Sequence, residues 1–259
     1  MKDAVKERAI LRPLISEAST AQFGDVPGVC KRLLAGVVSA WVLLVPAHAA
    51  DVELLPSPAA ENSSLSRVIS DESGNLYLSW VTQTEGSASL YYSTLNETRW
   101  SEPQLVSQGE DWFINWADFP VLSVSAENKT AHWLRMSAEG TYDYDIDARF
   151  YNARTDSWSD TITPHKDGVS AEHGFVSMLP VGNGNTLMTW LDGRNTKTGA
   201  GNGEMTLRAG IFSARGETLS EWELDARVCD CCQTSAAMSA AGPIIVYRDR
   251  SAQEIRDIY

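Results

Sequence analysis

Leu76-Tyr77-Leu78-Ser79-Trp80 is a short strand-like run that ends on a large aromatic, and the chain returns to that ending three more times. Thr130-Ala131-His132-Trp133, Thr186-Leu187-Met188-Thr189-Trp190 and Pro243-Ile244-Ile245-Val246-Tyr247 set their closing aromatics 53, 57 and 57 residues apart. Ahead of the runs stand Glu72-Ser73-Gly74-Asn75, Ala126-Glu127-Asn128-Lys129, Gly182-Asn183-Gly184-Asn185 and Ala240-Ala241-Gly242-Pro243. Their Gly, Asn and small polar residues suit the tight reversal of a β-hairpin. A third apolar stretch follows each run, around Tyr92, Tyr151 and Phe212 and over residues 254–259. In the first three units it leads to a second marker, Trp100, Trp158 and Trp222, at intervals of 58 and 64 residues.

Short strands repeated at this period, with no convincing helix, predict an all-β fold: a β-propeller of four-stranded blades. A β-sandwich has no reason to bring two independent aromatic markers back in phase. The aromatics that close the second strands should pack between blades, and Trp100, Trp158 and Trp222 should cap the turn from third to fourth strand. Residues 64–259 supply about 3.5 blades, whereas propellers close at ~4–8 because a ring leaves no sheet edge or face unpaired. The ring is therefore expected to need further chain or a protein partner.

Residues 1–63 read differently. Lys31-Arg32, the apolar run Leu33 to Val45 and Pro46-Ala47-His48-Ala49 form the three parts of a secretory signal over 29–49, cut between Ala49 and Ala50. The apolar run is short of the ~20 residues of a bilayer span, so no stable membrane span is expected after cleavage. Residues 1–28 read as a non-native extension and 50–63 as a linker. The propeller should thus be exported, to the periplasm or beyond the cell. Of 21 Lys/Arg and 34 Asp/Glu, six and four lie in the first 50 residues, which leaves 15 against 30 and a net charge of −15 on the remainder. Such a surface repels phosphate backbones and excludes nucleic acid as a partner.

In a propeller, the inbound loop before each innermost strand and the outbound loop after each second strand meet on one face. The inbound loops are Asn62-Ser63-Ser64, Trp116-Ala117-Asp118, Glu172-His173-Gly174 and Cys231-Cys232-Gln233; the outbound ones are Thr82-Gln83, Leu134-Arg135, Asp192-Gly193-Arg194 and Arg248-Asp249-Arg250. Asp118, Glu172, His173 and Asp192 can serve there as acid or base, with Asp118, His173 and Asp192 the catalytic candidates. Arg135, Arg194, Arg248 and Arg250 can clamp an anion such as a sugar carboxylate. The same charges can instead pair with one another and tie blades together.

Cys30 departs with the signal, leaving Cys229, Cys231 and Cys232. Export favours a disulfide within this C-x-C-C run. A Zn or Cu site, with His173 as a fourth ligand, and free thiols are the other two chemistries it admits.

The stretch from Ser93 to Trp100 resembles the Asp-box (BNR) repeat S-x-D-x-G-x-x-W of sialidase-type propellers: Ser93 and Trp100 match, while Leu95 and Glu97 replace the Asp and Gly. Tyr151 to Trp158 keeps the Trp alone. Leu65-Ser66-Arg67-Val68-Ile69 echoes the F/Y-R-I-P motif of the same superfamily, with Arg67 where its carboxylate-binding Arg stands. The resemblance implies a six-bladed ring and recognition, with or without exo-sialidase-type hydrolysis, of a glycan or other anionic ligand at the channel mouth. A non-catalytic binding or assembly propeller, its cysteines structural or metal-binding, is the competing reading. A hydrolase should present two carboxylates ~5–9.5 Å apart, or a Tyr/Glu pair, whereas a binding module should present an aromatic or Arg-lined surface.

Overall fold

The computed structural model describes residues 53–126, 128–198 and 203–259. The first blade comprises β1 (Ser63–Ser70), β2 (Leu76–Thr84), β3 (Ser87–Asn96), the short β4 (Arg99–Trp100) and β5 (Gln104–Gly109). The second holds β6 (Val121–Val124), β7 (Asn128–Met136), β8 (Tyr144–Asn152) and β9 (Ser157–Trp158). The third holds β10 (His173–Val181), β11 (Asn185–Asp192), β12 (Thr206–Phe212) and β13 (Thr218–Asp225), and a fourth is begun by β14 (Ser235–Ser239) and β15 (Gly242–Val246). Within each blade the strands pair antiparallel in chain order, and β5 completes the first blade on β3. The described residues form an all-β propeller arc of four-stranded blades.

The innermost strands stand side by side, β1 next to β6, β6 next to β10 and β10 next to β14. Blades pack face to face, so both faces of a middle strand are buried. Three apolar layers result. Tyr77, Val81, Leu90 and Tyr92 of the first blade meet Leu122, Val124 and Ala131 of the second. Leu134, Ile146 and Phe150 meet Val176, Met188, Trp190 and Phe212 of the third. Phe175, Leu191 and Leu207 meet Val228, Ile245 and Tyr247. Each such side chain contributes roughly 1.5–3 kcal/mol when fully buried. Trp133 and Trp190 lie buried in or against these layers, as their spacing predicts; Trp80 is buried too, but beside Tyr91 on the face of the first blade turned away from Tyr77 and Val81.

Trp100 and Trp158 close the turn after the third strand, in β4 and β9. Glu97, where the Asp-box has Gly, adopts the left-handed φ of 55° that the turn demands. Trp222 departs from expectation. The hairpin after β12 reverses over Ser213–Glu217, where Ser213 N–H bonds Glu217 O, so Trp222 falls in mid-strand opposite Ala209 and is 45% exposed. Residues 254–259 form no named strand, although paired backbone bonds between Tyr247 and Tyr259 set them where a third strand would begin. Against the expectation of no helix, a five-residue helix α1 (Arg194–Thr198) occupies the outbound loop of the third blade.

The innermost strands of the first and third blades share a β-bulge. It falls at Leu65 (φ 55°) and Phe175 (φ 52°), each fifteen residues before its closing Trp. The predicted extension, signal and start of the linker lie outside the described residues; β1 begins at Ser63. No helix among the described residues is long and apolar enough to cross a membrane.

Candidate functional site

Strand register builds the site. His173 opens β10 and pairs with Asp192 at the end of β11, while Arg135 near the end of β7 pairs with Asp145 near the start of β8. The link from β9 to β10 crosses the same face and adds His165, Asp167 and Glu172. Phe175 N–H donates to Asp118 Oδ1 at 2.8 Å, and Thr234 Oγ1 donates to Phe175 O at 2.7 Å, which brings the inbound loops of the second and fourth blades alongside. Asp118, His173, Asp192, Arg194, the cysteine run and Arg248 therefore share one face.

At its centre the rings of His165 and His173 are stacked face to face in nearly parallel planes. Ile146 N–H donates to His165 Nε2 at 3.1 Å, so the ring hydrogen sits on Nδ1 and points at Asp167 Oδ2, 3.1 Å away. His173 Nδ1 faces Ala171 O at 3.2 Å, a carbonyl that only a protonated nitrogen can bond. Its Nε2 lies 3.3 Å from Asp167 Oδ2 and 3.5 Å from Asp192 Oδ1. Burial opposes charge on both rings. It prevails at His165, which is lowered; at His173 the contacts with Asp167 and Asp192 outweigh it and raise the ring to about 9. Burial likewise works to raise Asp167 and Asp192, but their His partners overcome it and hold both well below the usual carboxylate range.

Three of the arginines predicted to clamp an anion are held by the protein's own carboxylates. Arg194 grips Asp192 through Nε at 2.7 Å and Nη2 at 2.6 Å, and reaches Asp167 at 3.3 Å. Arg135 bonds Asp147 at 2.8 Å, and Arg250 bonds Glu204 at 3.0 Å and Glu254 at 2.9 Å. Here the charge-pairing reading prevails. Arg248 turns to Cys232 Sγ at 3.5 Å. Arg67 lies over the Phe119 ring, 4.8 Å from its centroid, with no carboxylate in salt-bridge reach among the described residues.

Asp118 and Glu172 form a second group. Tyr144 Oη lies 2.8 Å from Asp118 Oδ2 and 3.1 Å from Glu172 Oε1. One hydroxyl hydrogen cannot serve two carboxylates, so a proton on one carboxyl completes the chain. Burial, the largest cause in each case, pushes both carboxyls up to about 7 and also raises Tyr144, which is 1% exposed. The Tyr144 hydroxyl is thus sealed from solvent between the two carboxyls.

The three sulfurs lie 3.4 Å (Cys229–Cys232), 3.7 Å (Cys229–Cys231) and 4.0 Å (Cys231–Cys232) apart, far beyond the ~2.05 Å of a disulfide. The predicted disulfide is not formed. Nor does His173 join the sulfurs as a fourth ligand, since its ring is held among Asp145, Asp167 and Asp192.

The innermost strands line a half-open axial cavity of about 270 Å³, bordered by Arg67, Ser123, Ser177, Gln233, Thr234 and Ser235. Gln233 Nε2 donates to Val176 O, whereas its Oε1 is buried without a partner. Trp116, in the inbound loop of the second blade, is 85% exposed. A larger recess of about 950 Å³ lies at the opposite, hairpin end, among Ser70, Asp71, Ser125, Asn183 and Met238, away from the converging charges. Tyr144, Asp145, His165 and Asp167 were not foreseen. The only sequence signal for the last two is Pro164-His165-Lys166-Asp167-Gly168 in a blade link.

No protein-family model matches the chain, and no curated protein matches it. Among solved structures, an α-L-arabinanase of Penicillium chrysogenum complexed with arabinobiose matches with a TM-score of 0.48 and 14% identity, over 74% of this chain and 58% of that one. An α-L-arabinofuranosidase of Fusarium graminearum in complex with an iminosugar inhibitor gives 0.46 and 11%, over 69% and 54%. An endo-arabinase of Bacteroides thetaiotaomicron gives 0.39 and 14%, over 75% and 72%. The chain spans little more than half the length of the first two, and none of the three is a sialidase.

Proposed function

We propose that this propeller binds an acidic carbohydrate, or a small anion of similar shape, at its axial cavity, and that its role there is recognition. The observation that carries the reading is Arg67: its guanidinium lies over Phe119 at the cavity while Arg135, Arg194 and Arg250 are each held by carboxylates. A planar guanidinium matches a carboxylate bidentately. The bulge at Leu65 precedes Arg67 by two residues, and bulges commonly re-aim side chains beside binding sites.

Two further features suit a sugar. Gln233 Oε1 offers a buried acceptor for a hydroxyl, and exposed Trp116 offers a flat surface for the apolar face of a ring. At about 270 Å³ the cavity is close to the lower end of ligand pockets, ~300–1,000 Å³, so one sugar-sized group fits it. Arg67 occupies the place of the carboxylate-binding Arg in the sialidase-like pattern, and a terminal sialic-acid-type sugar is the ligand that resemblance favours. Recognition rather than hydrolysis is supported by the commitment of Asp118 to Tyr144, of His173 to Asp167, and of Asp192 to Arg194. The pattern from Lys31 to Ala49 supports action outside the cytosol.

Isothermal titration of the full chain with a sialyl oligosaccharide, a glucuronate oligosaccharide and neutral arabinobiose tests the reading. Acidic ligands should bind, Arg67→Ala should weaken them roughly tenfold or more, and Arg67→Lys should fall between. Equal binding by Arg67→Ala, or no acidic ligand bound, would overturn it. Release of free sugar would assign hydrolysis instead.

A further inference from the structure

We propose that Cys229, Cys231 and Cys232 form a three-thiolate site for one thiophilic d10 metal ion, Cu(I) or Zn(II). A tetrahedral ion with metal–sulfur bonds of ~2.3 Å holds its sulfurs about 3.8 Å apart. The observed separations of 3.4, 3.7 and 4.0 Å bracket that value, so little movement is needed to seat an ion against all three. The C-x-C-C spacing reaches this arrangement through a turn at Asp230–Cys231, while Cys229 N–H is pinned to Arg248 O at 2.9 Å. Cys229 is buried and Cys231 exposed, which leaves the triangle open on one side.

The surroundings stabilise sulfur anions. Arg248 Nη1 lies 3.5 Å from Cys232 Sγ, and Arg256 Nη1 lies 3.5 Å from Cys229 Sγ. The two guanidiniums offset part of the charge that a full set of thiolates would carry, Arg256 being shared with Asp230 and Glu254 at 3.7 Å each, and a bound cation offsets the rest. On binding, each thiol gives its proton to solvent as its sulfur–metal bond forms, with no electron transferred. No His or carboxylate joins the three sulfurs within ligand reach among the described residues. Cu(I) can accept three sulfurs alone, whereas Zn(II) would take a fourth ligand from solvent.

The test uses the full chain carrying Cys30→Ser, so that only these three thiols remain, reduced and kept anaerobic. One arm delivers Cu(I) from its bicinchoninate complex, and the other delivers Zn(II) against a chromophoric chelator. Native mass spectrometry should show one ion per chain in at least one arm, and that ion should block alkylation of all three thiols. A Cys231→Ser/Cys232→Ser variant should lose roughly 100-fold or more in affinity with an unchanged far-ultraviolet circular dichroism spectrum. His173→Gln should bind as tightly as the parent. Binding in the copper arm alone, or in the zinc arm alone, supports the site and names its ion. Absence of a bound ion in both arms, alkylation undiminished by metal, or equal affinity in the double serine variant would overturn it.

Discussion

His165 and His173 stack face to face, ring centroids 3.7 Å apart and planes 6° apart, yet they cannot carry the same charge. Ile146 N–H fixes His165 as the neutral ring, and Asp167 and Asp192 make His173 the charged one. A histidine whose folded value, about 9, exceeds its unfolded value, ~6.5, adds stability that is complete below pH 6.5 and is lost as pH rises through 9. The parent should therefore be more stable than His173→Gln at pH 6, with the gap narrowing by a few kcal/mol by pH 9.5. Urea titrations at four pH values measure it, and a gap independent of pH would contradict the assignment.

Asp118 has the opposite consequence for neutral pH. Its folded value of about 7 lies above the ordinary 3.8, so the protonated form is favoured on folding, and stability is lost as pH rises from 3.8 through 7. Asn in its place can accept from Phe175 N–H and donate to Tyr144 Oη, leaving Tyr144 to donate to Glu172. Asp118→Asn should match or exceed the parent at pH 8, by up to a few kcal/mol, and converge with it near pH 4. Thermal melts at the two pH values decide the point; a variant less stable at pH 8 would show that the buried charge is used.

Gly174 separates these two groups. A methyl there would meet the Asp118 carboxylate and would stand 2.8 Å from Tyr144 Cε2, both buried. Gly174→Ala should destabilise by about 3 kcal/mol through overpacking. Gly168, at φ 69° with open space around it, should cost about 1 kcal/mol as Ala, from backbone strain alone. Comparable losses at the two sites would deny the close approach.

The two kinds of marker tryptophan should separate by stability. Trp190 is fully buried and Trp222 is 45% exposed on β13. Trp190→Ala should cost ~3–5 kcal/mol. Trp222→Ala should stay within about 0.5 kcal/mol, as at other surface positions. Denaturation midpoints at constant m-value provide the comparison.

The blade plan was readable because Trp133 and Trp190 answer one physical demand, filling a layer between two sheets, and that demand recurs at the blade period. Trp222 misled because sequence spacing reports distance along the chain and not where a hairpin reverses. On the functional face, Asp118, His173, Asp192 and Arg194 were legible, since each lies in a loop that the topology aims at the mouth. Their partners were not. Asp145 and Tyr144 come from the start of a third strand, and His165 and Asp167 from a link between blades, places the inbound and outbound rule leaves out. The cysteines were legible as a cluster, but their separation from His173 depends on side-chain directions that pairing alone does not specify.

Asp167 belongs to neither the second blade nor the third. It sits in the chain that joins them, and its carboxylate is shared by His165, His173 and Arg194. His165 in turn holds a backbone N–H of β8, and Arg194 closes on the end of β11. Blades that touch only through apolar side chains can open one after another, as neighbouring units of a repeat array do. This link is bonded to both its neighbours, so releasing one blade means breaking contacts made by the other. The amides at the start of β8 and of β10 should therefore exchange with solvent through a single shared opening, one foldon spanning two repeats.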